Sequence, residues 1–332
     1  MKAVVLSAPE NTGPLKYLDM PDPVIQSASQ VLVRLKAAGI NPIDIKIRNN
    51  PGIFPLAQPF IPGFDGAGVI EATGLAVTGF AIGDEVYFCK CAFHGEQGTY
   101  AEYAVVDQAL LALKPKSLNF EHSTAIPLVL ITAWEALFDR ISLKSGQSVL
   151  IQAGAGGVGQ LAIQLARMAG AEVYTTVSSP EKAELVRSLG ADHVILYREQ
   201  EVIPSILEKT AGRGVDVSLD TLGGPIFEQC IECTRHYGDL VSILQPGPDV
   251  NWTTARLRNL RISLEMMLSP SLSKLSDSLK HQGDILRQCA GRFDTGELRI
   301  KVAHTFPLQE AYSAQRTLEK ESPVGKIALR ID

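Results

Sequence analysis

Three glycines follow a short apolar run at a spacing suited to holding a dinucleotide. Gly154, Gly156 and Gly159 form the pattern G-x-G-x-x-G directly after the strand-like run 148–151 and directly before a helix-periodic segment. The first glycine permits a tight turn, the second lets the backbone approach a pyrophosphate, and the third lets the helix pack against its strand. The alternative is an unused structural turn. The predicted pyrophosphate site comprises Gly154, Gly156, Gly157, Val158 and Gly159.

The next strand ends without the acidic residue that NAD-specific sites use to bind the ribose 2′-hydroxyl. No residue from Tyr174 to Pro180 carries a negative charge, whereas Ser178 and Ser179 offer hydroxyls and Lys182 a cation. This pattern favours NADPH over NADH, because no carboxylate repels a 2′-phosphate. The alternative is that Ser179 simply caps the next helix and Lys182 is a solvated side chain.

The surrounding elements must position this turn. Apolar runs at 148–153, 172–177, 193–196, 215–219, 239–244 and 260–268 alternate with helix-like segments. That rhythm predicts a doubly wound, parallel six-stranded Rossmann domain with right-handed crossovers.

Shorter strand-like runs bounded by Gly and Pro precede this region and indicate a small, mostly antiparallel β-barrel. After residue 268 a helical stretch, a strand, a helix and a final strand follow. We therefore predict that residues 126–268 form an insert, and that residues 1–125 and 269–332 together form the barrel domain.

The bulk properties are those of an ordinary globular chain of two domains. The 332 residues are 45% hydrophobic and 20% charged, with a formal net charge of −5. No basic surplus favours a nucleic-acid partner, and no apolar run approaches a membrane span. The stretch MKAVVLSAPE is too brief for a signal peptide core, so we expect a cytoplasmic protein. Five cysteines without framework spacing fit reduced thiols.

The layout resembles the medium-chain dehydrogenase/reductase superfamily over essentially the whole chain. The motifs that carry the resemblance are AGINPIDIKIR, IPGFDGAGVIEATG, GDEV, ITAWEAL, AGAGGVG, LGADHVI and GKIAL. They are most similar to the zinc-independent quinone oxidoreductase and 2-alkenal reductase branch. The resemblance implies a GroES-like catalytic domain around the inserted Rossmann domain, with NADPH as cofactor.

Zinc ligands of the superfamily are replaced in this chain. Its zinc enzymes carry Cys where this chain has Asn41, and G-H-E where it has Gly63, Phe64 and Asp65. A structural zinc site of the superfamily needs four cysteines, and the matching region has only Cys89 and Cys91, with His94 nearby. A second run has the spacing of metal ligands, but core packing in a helix also produces it: Cys230, Cys233 and His236. We predict no metal, and hence a substrate that needs no Lewis acid. A quinone or an α,β-unsaturated carbonyl qualifies, because hydride addition at a conjugated carbon delocalises the charge.

The resemblance also implies individual site residues. Asn41 and Thr132 would lie near the nicotinamide and its ribose, and Tyr197 would be a further contact of the cofactor. Thr132 is equally suited to a helix start. Asn41 and Lys46 are the candidate catalytic residues.

Lys46 replaces a Tyr of many quinone oxidoreductases and is similar to the Lys of plant-type enone reductases, where it could hold an enolate oxygen. The alternative places Lys46 and Arg48 on an exposed loop face. Asp44 would orient Lys46 or cap a turn. Phe54 lies in the neighbourhood of a second missing Tyr, so the substrate contacts of the quinone branch do not carry over.

The expected partners are a small quinone or enone and a second copy of the chain. NLRISLEMML reads as a sixth strand at the sheet edge, where an unpaired ladder favours a homodimer. Two alternatives remain open: an enoyl-thioester reductase, and an NADPH-binding protein with a structural, sensing or nucleic-acid role and little turnover.

Overall fold

A computed structural model describes residues 1–6 and 15–332 of the chain. They form two units: Met1–Leu128 with Leu268–Asp332, and Val129–Met267. The boundaries expected from the sequence lie within three residues of these. Pro9 and Glu10, which follow the predicted N-terminal strand, lie outside the described residues.

The bounds of the regular elements are as follows. The helices are α1 Pro42–Asn49, α2 Phe120–Ser123, α3 Pro127–Trp134, α4 Gly157–Met168, α5 Pro180–Ser188, α6 Val202–Lys209, α7 Pro225–Cys233, α8 Trp252–Leu257, α9 Ser269–Leu272, α10 Ser276–Asp294 and α11 Ala311–Glu321. A π-helix, Glu135–Arg140, continues α3, and short 3-10 turns cover Pro51–Ile53, Gln108–Leu110 and Leu308–Glu310. The strands are β1 Lys2–Val5, β2 Lys16–Asp19, β3 Gln30–Ile40, β4 Asp65–Thr73, β5 Glu85–Cys89, β6 Tyr103–Asp107, β7 Leu111–Leu113, β8 Ser148–Ile151, β9 Glu172–Val177, β10 His193–Leu196, β11 Val215–Asp220, β12 Thr234–Ser242, β13 Arg261–Leu264, β14 Val302–Pro307 and β15 Lys326–Arg330.

The second unit is built on a six-stranded parallel sheet in the order β10-β9-β8-β11-β12-β13. Its inner strands are almost continuously buried because helices cover both faces of such a sheet. The strand order reverses between β8 and β11, and ligands of doubly wound sheets bind at the carboxyl ends of the strands at such a point. The predicted Rossmann fold is confirmed.

The first unit contains a mostly antiparallel sheet in the order β14-β15-β3-β4-β5-β7, and β6 also pairs with β3. β3 is its longest strand and pairs with β4, β6 and β15, because its alternating apolar residues face the core. Only β14 and β15 run parallel among these pairs. The predicted barrel is confirmed, with its last strand contributed by the C-terminal segment.

No helix among the described residues is long and apolar enough to cross a bilayer. The five cysteines are free and buried.

Candidate functional site

The glycine turn of the second unit leaves no room for side chains at two of its positions. A Cβ on Gly154 would come within 2.1 Å of Thr175 Oγ1, and one on Gly159 within 2.5 Å of the Ala153 carbonyl oxygen. Ala153 itself has a φ of +52°, so the chain turns sharply as it leaves β8. The structure thus requires glycine where the sequence predicts a close approach of turn, helix and strand.

Helix α4 begins at this turn without a side-chain cap. Gly156 is the N-cap residue, and because it has no side chain it leaves the first N–H groups of α4 to another acceptor. Gly157 and Val158 start the helix and are half-buried. The positive end of the helix dipole and these N–H groups together suit a phosphate. The residues present therefore fit a dinucleotide.

The predicted 2′-phosphate residues lie at the ends of two neighbouring strands. Ser178 and Ser179 follow β9, and the Tyr197 N–H donates to the Val177 carbonyl at 3.1 Å, which fixes Tyr197 beside the end of that strand. Ser179 Oγ accepts from the Lys182 N–H at 3.4 Å and caps α5. The cap uses an acceptor of the Ser179 hydroxyl and leaves its proton for a further bond.

A cavity of about 680 Å³ opens at the same edge of the sheet. A buried chain of hydrogen bonds lines its inner wall: Thr176 Oγ1 donates to Gln152 Oε1 at 2.6 Å, and Gln152 Nε2 donates to Gln229 Oε1 at 3.1 Å. Leu222 and Arg198 also line the cavity. These residues are not predicted from the sequence, although all but Gln229 lie within or shortly after the predicted strands, at the end of the sheet where ligands bind.

In the first unit, Asn41 lies at the centre of a buried cluster and presents no surface to a ligand. Its side chain is fully buried; the amide nitrogen donates to Asp65 Oδ2 at 2.7 Å, and the amide oxygen accepts from Lys326 Nζ. Asp65 Oδ1 accepts from the Leu128 N–H at 2.8 Å. The Asn41 amide is thus hydrogen-bonded within the protein at both ends, and its role near the nicotinamide ribose and in catalysis stays a prediction.

Burial sets the titration of this cluster. It raises the pKa of the Asp65 carboxyl and lowers the pKa of the Lys326 ammonium, and in both cases this outweighs the attraction between the two charges. Lys326 Nζ also donates to the Ile40 carbonyl at 3.0 Å. Asn41, Asp65 and Lys326 are from here on called the buried ion cluster.

Asp44 caps α1 and does not orient Lys46. Its carboxylate accepts from the Asn41 N–H at 2.8 Å, as a residue in the first turn of a helix can do. Burial raises the pKa of Asp44 to about 7, and the hydrogen bond from the Asn41 backbone opposes the rise.

Lys46 and Arg48 lie in the last turn of α1 but in different environments. Lys46 is exposed, and its ammonium has no ion pair among the described residues. Arg48 is buried: Nη1 donates to Gln315 at 3.1 Å, Nη2 pairs with Glu319 at 3.2 Å, and the guanidinium lies 5.3 Å from the Tyr312 ring centroid. The alternative of an exposed loop face is thus wrong for Arg48, whose hydrogen bond and ion pair link α1 to α11.

Phe54 and Thr132 both pack against other parts of the protein. Phe54 is half-buried and packs against Phe93 with ring centroids 4.9 Å apart and the ring planes tilted by 43°, and Phe93 in turn contacts Phe64. Thr132 is 5% exposed within α3. Neither position separates a ligand contact from ordinary packing.

The cysteine and histidine runs do not come together as ligand sets. Cys230 and Cys233 are buried on α7, whereas His236 is exposed on β12. His94 Nε2 lies 3.0 Å from the Leu272 carbonyl, while Cys89 and Cys91 are buried. In the part of the chain that is described, no group of three His, Cys, Asp or Glu residues could hold a metal ion.

Two family models match the chain. Residues 27–116 match the alcohol dehydrogenase GroES-like domain, and residues 189–329 match a model described as zinc-binding dehydrogenase. A quinone oxidoreductase of Pseudomonas aeruginosa is 32% identical over 318 residues, which cover 95% of each chain.

Solved structures with the same fold differ in their nicotinamide cofactor. An NAD-dependent alcohol dehydrogenase is 31% identical with a TM-score of 0.86, and the two chains cover each other completely. A mycobacterial protein complexed with NADPH is 27% identical with a TM-score of 0.85, again with complete coverage of both chains. The likeness alone does not choose between the two nucleotides.

Proposed function

Since the chain belongs to the medium-chain dehydrogenase/reductase superfamily, in its quinone oxidoreductase branch, we propose that it is a zinc-independent, NADPH-dependent reductase of quinones or α,β-unsaturated carbonyl compounds. The observation that carries the proposal is the uncapped glycine turn of the second unit beside a β9 end without a carboxylate. The first feature suits a pyrophosphate, and the second tolerates a 2′-phosphate.

Each part of the cofactor site has its own residues in the second unit. The turn from Gly154 to Gly159 and the start of α4 would bind the pyrophosphate, and Ser178, Ser179, Lys182 and Tyr197 would bind the 2′-phosphate. When bound, the reduced nicotinamide supplies hydride to the substrate. Thr132 is proposed as a nicotinamide contact by the family resemblance alone.

The donor set does not fit zinc. Both oxygens of Asp65 and the amide oxygen of Asn41 already accept hydrogen bonds, and the Lys326 ammonium lies against the latter. Phe64 stands where the zinc enzymes carry an imidazole ligand. The Lys326 ammonium thus supplies a positive charge at the positions where the zinc enzymes of the superfamily bind zinc.

Without a Lewis acid, the suitable substrates are those that delocalise the charge left by hydride addition. Lys46 is proposed to donate to the enolate oxygen, because its exposed ammonium is not engaged by another described side chain.

NADPH oxidation with a panel of quinones, enones, alkenals and an enoyl thioester tests the proposal. We expect steady turnover with quinones or enones. Turnover of the thioester alone would favour the enoyl-thioester alternative, and tight NADPH binding with no turnover on any substrate would leave a binding protein.

Purified protein should contain no stoichiometric zinc, and chelators should leave NADPH turnover unchanged. The reason is that the buried ion cluster consumes the donors a metal would need. Elemental analysis checks this directly, and one tightly held zinc per chain would refute it.

NADPH should bind more tightly than NADH, and Lys182→Glu should weaken NADPH by about tenfold while sparing NADH, since it replaces an attraction with a repulsion. Titration calorimetry with both nucleotides measures the difference. Lys209→Glu, at the exposed end of α6, is the matched control. Equal or tighter NADH binding by the parent protein would end the NADPH proposal.

The protein should be a homodimer through the edge of the parallel sheet. β13 is the last strand of that sheet, and Leu264 and Met266 are 62% and 47% exposed there. Light scattering should give twice the 35.8 kDa chain mass at micromolar concentration, and Leu264→Lys should shift the population toward monomer. A parent protein that stays monomeric would contradict the hypothesis.

A further inference from the structure

Arg198 occupies a defined place on the rim of the 680 Å³ cavity. It directly follows Tyr197, whose N–H bonds to the Val177 carbonyl at 3.1 Å, in the turn that links β10 to α6. Neighbouring strands in a sheet lie about 4.8 Å apart. Because Leu196 pairs with Val177 in the parallel register, Tyr197 follows beside Ser178 and Arg198 beside Ser179.

The guanidinium of Arg198 is available to a ligand. Arg198 is exposed and forms no ion pair or side-chain hydrogen bond with any residue the structure describes. By contrast, five arginines of the second unit each bind a carboxylate: Arg140, Arg167, Arg235, Arg258 and Arg261. Arg187, Arg213 and Arg256 likewise form no ion pair within the described part of the chain, but Arg198 is the arginine that lines this cavity.

The remainder of the lining suits the rest of an adenosine. The inner wall offers the polar chain of Thr176, Gln152 and Gln229 next to the apolar Leu222 and Ile226, which is the mixture a heteroaromatic base requires. An arginine fork matches a phosphate through two parallel hydrogen bonds, which neither the serines nor Lys182 can provide.

We propose that Arg198 is a specificity-determining residue that binds the 2′-phosphate of NADPH. The inference rests on the proposed NADPH site and adds to it a residue that neither the glycine motif nor the serine pair indicates. Glu199 and Glu201 line the same cavity, and their charges oppose a phosphate. The Arg198 guanidinium offsets one of these two charges, and its removal makes the lining still more negative.

The test is calorimetric titration of NADPH, NADH, 2′,5′-ADP and 5′-AMP into the parent protein, Arg198→Gln, Arg198→Lys and Arg213→Gln. Arg213 is exposed and directly precedes β11, so it lies at the amino ends of the parallel strands, away from the carboxyl ends where Arg198 lies, and is the matched control for charge. Arg198→Gln should weaken NADPH and 2′,5′-ADP by about tenfold, as expected for a charge-assisted contact, and leave NADH and 5′-AMP within about twofold. Arg198→Lys should lie between the parent and Arg198→Gln, because it keeps the charge but loses the fork.

Three outcomes would overturn the inference. Unchanged NADPH affinity in Arg198→Gln removes Arg198 from the site while leaving the proposed NADPH preference intact. Equal losses for NADPH and NADH place Arg198 on the shared part of the cofactor. A parent protein that does not prefer NADPH, or 2′,5′-ADP over 5′-AMP, refutes the proposed cofactor and this assignment together. Circular dichroism and the thermal midpoint verify that each variant is folded.

Discussion

Lys326→Met should destabilise the protein by about 3–5 kcal/mol, because it removes the cation from the buried ion cluster and leaves the Asp65 carboxylate uncompensated. Lys326 is 6% exposed and Asp65 is fully buried, so water cannot solvate either charge when its partner is removed. Urea unfolding followed by circular dichroism measures the loss as a lower midpoint.

A matched control separates the loss of buried charge from the loss of a lysine. The Lys114 side chain is also buried, but its partner Glu85 is 54% exposed, so Lys114→Met returns the Glu85 carboxylate to water and should cost far less. Adding Asp65→Asn to Lys326→Met should recover part of the loss, since no charge then remains unpaired. Similar losses for both lysine variants would contradict the account.

The same account predicts how the loss depends on pH. Burial raises the pKa of Asp65 in the folded protein, so Asp65 takes up a proton at a higher pH than it does in the unfolded chain. In Lys326→Met a protonated Asp65 needs no counter-charge. The difference in stability between parent and variant should therefore shrink as the pH falls through the Asp65 titration.

Lys46→Met should lower kcat for enones by about 100-fold, if its ammonium is worth as much to the enolate as one oxyanion-hole donor. NADPH affinity and the thermal midpoint should be unchanged, because Lys46 is exposed and lies on the unit that lacks the glycine turn. The kcat for quinones should fall less, because their reduction spreads the developing charge over two oxygens. The enone-to-quinone activity ratio is therefore the most direct measurement.

Lys209→Met is the control for this prediction. Like Lys46, Lys209 is an exposed lysine in the last turn of an eight-residue helix. If Lys46→Met keeps kcat for every active substrate within about twofold of the parent, positioning of the reactants carries the catalysis and Lys46 is a surface residue.

Local patterns were sufficient for most of the fold. Each of the six strands of the parallel sheet overlaps a predicted apolar run, although β12 begins well before the run 239–244. The boundaries of β13 were less exact: the run 260–268 predicts a longer strand than Arg261–Leu264, since the apolar residues beyond it are not paired in the sheet. The alternative for Lys46 and Arg48 expects a loop, yet Asn41 as N-cap, a proline at the first position and Asp44 in the first turn are the usual start of a helix.

The candidate site was less accessible to sequence reasoning, because its decisive contacts join distant residues. Asn41 and Lys326 are 285 positions apart, and Arg48 and Gln315 are 267 apart. No spacing rule connects such pairs, so Asn41 could be assigned a role by resemblance but not its actual partners. Arg198 was overlooked for a different reason, because a single arginine in a turn carries no periodic signal.

The insertion of the second unit between Leu128 and Leu268 has a consequence for synthesis of the chain. On the ribosome, residues of the second unit are complete while the first still lacks β14 and β15. The segment Ala37–Ile40 of β3 emerges early and pairs with β15 only when the last residues arrive. Until then that edge is open to other chains, and a polypeptide truncated before Lys326 would keep it open. The C-terminal strand thus acts as the closing step of co-translational folding, and its loss should appear as aggregation.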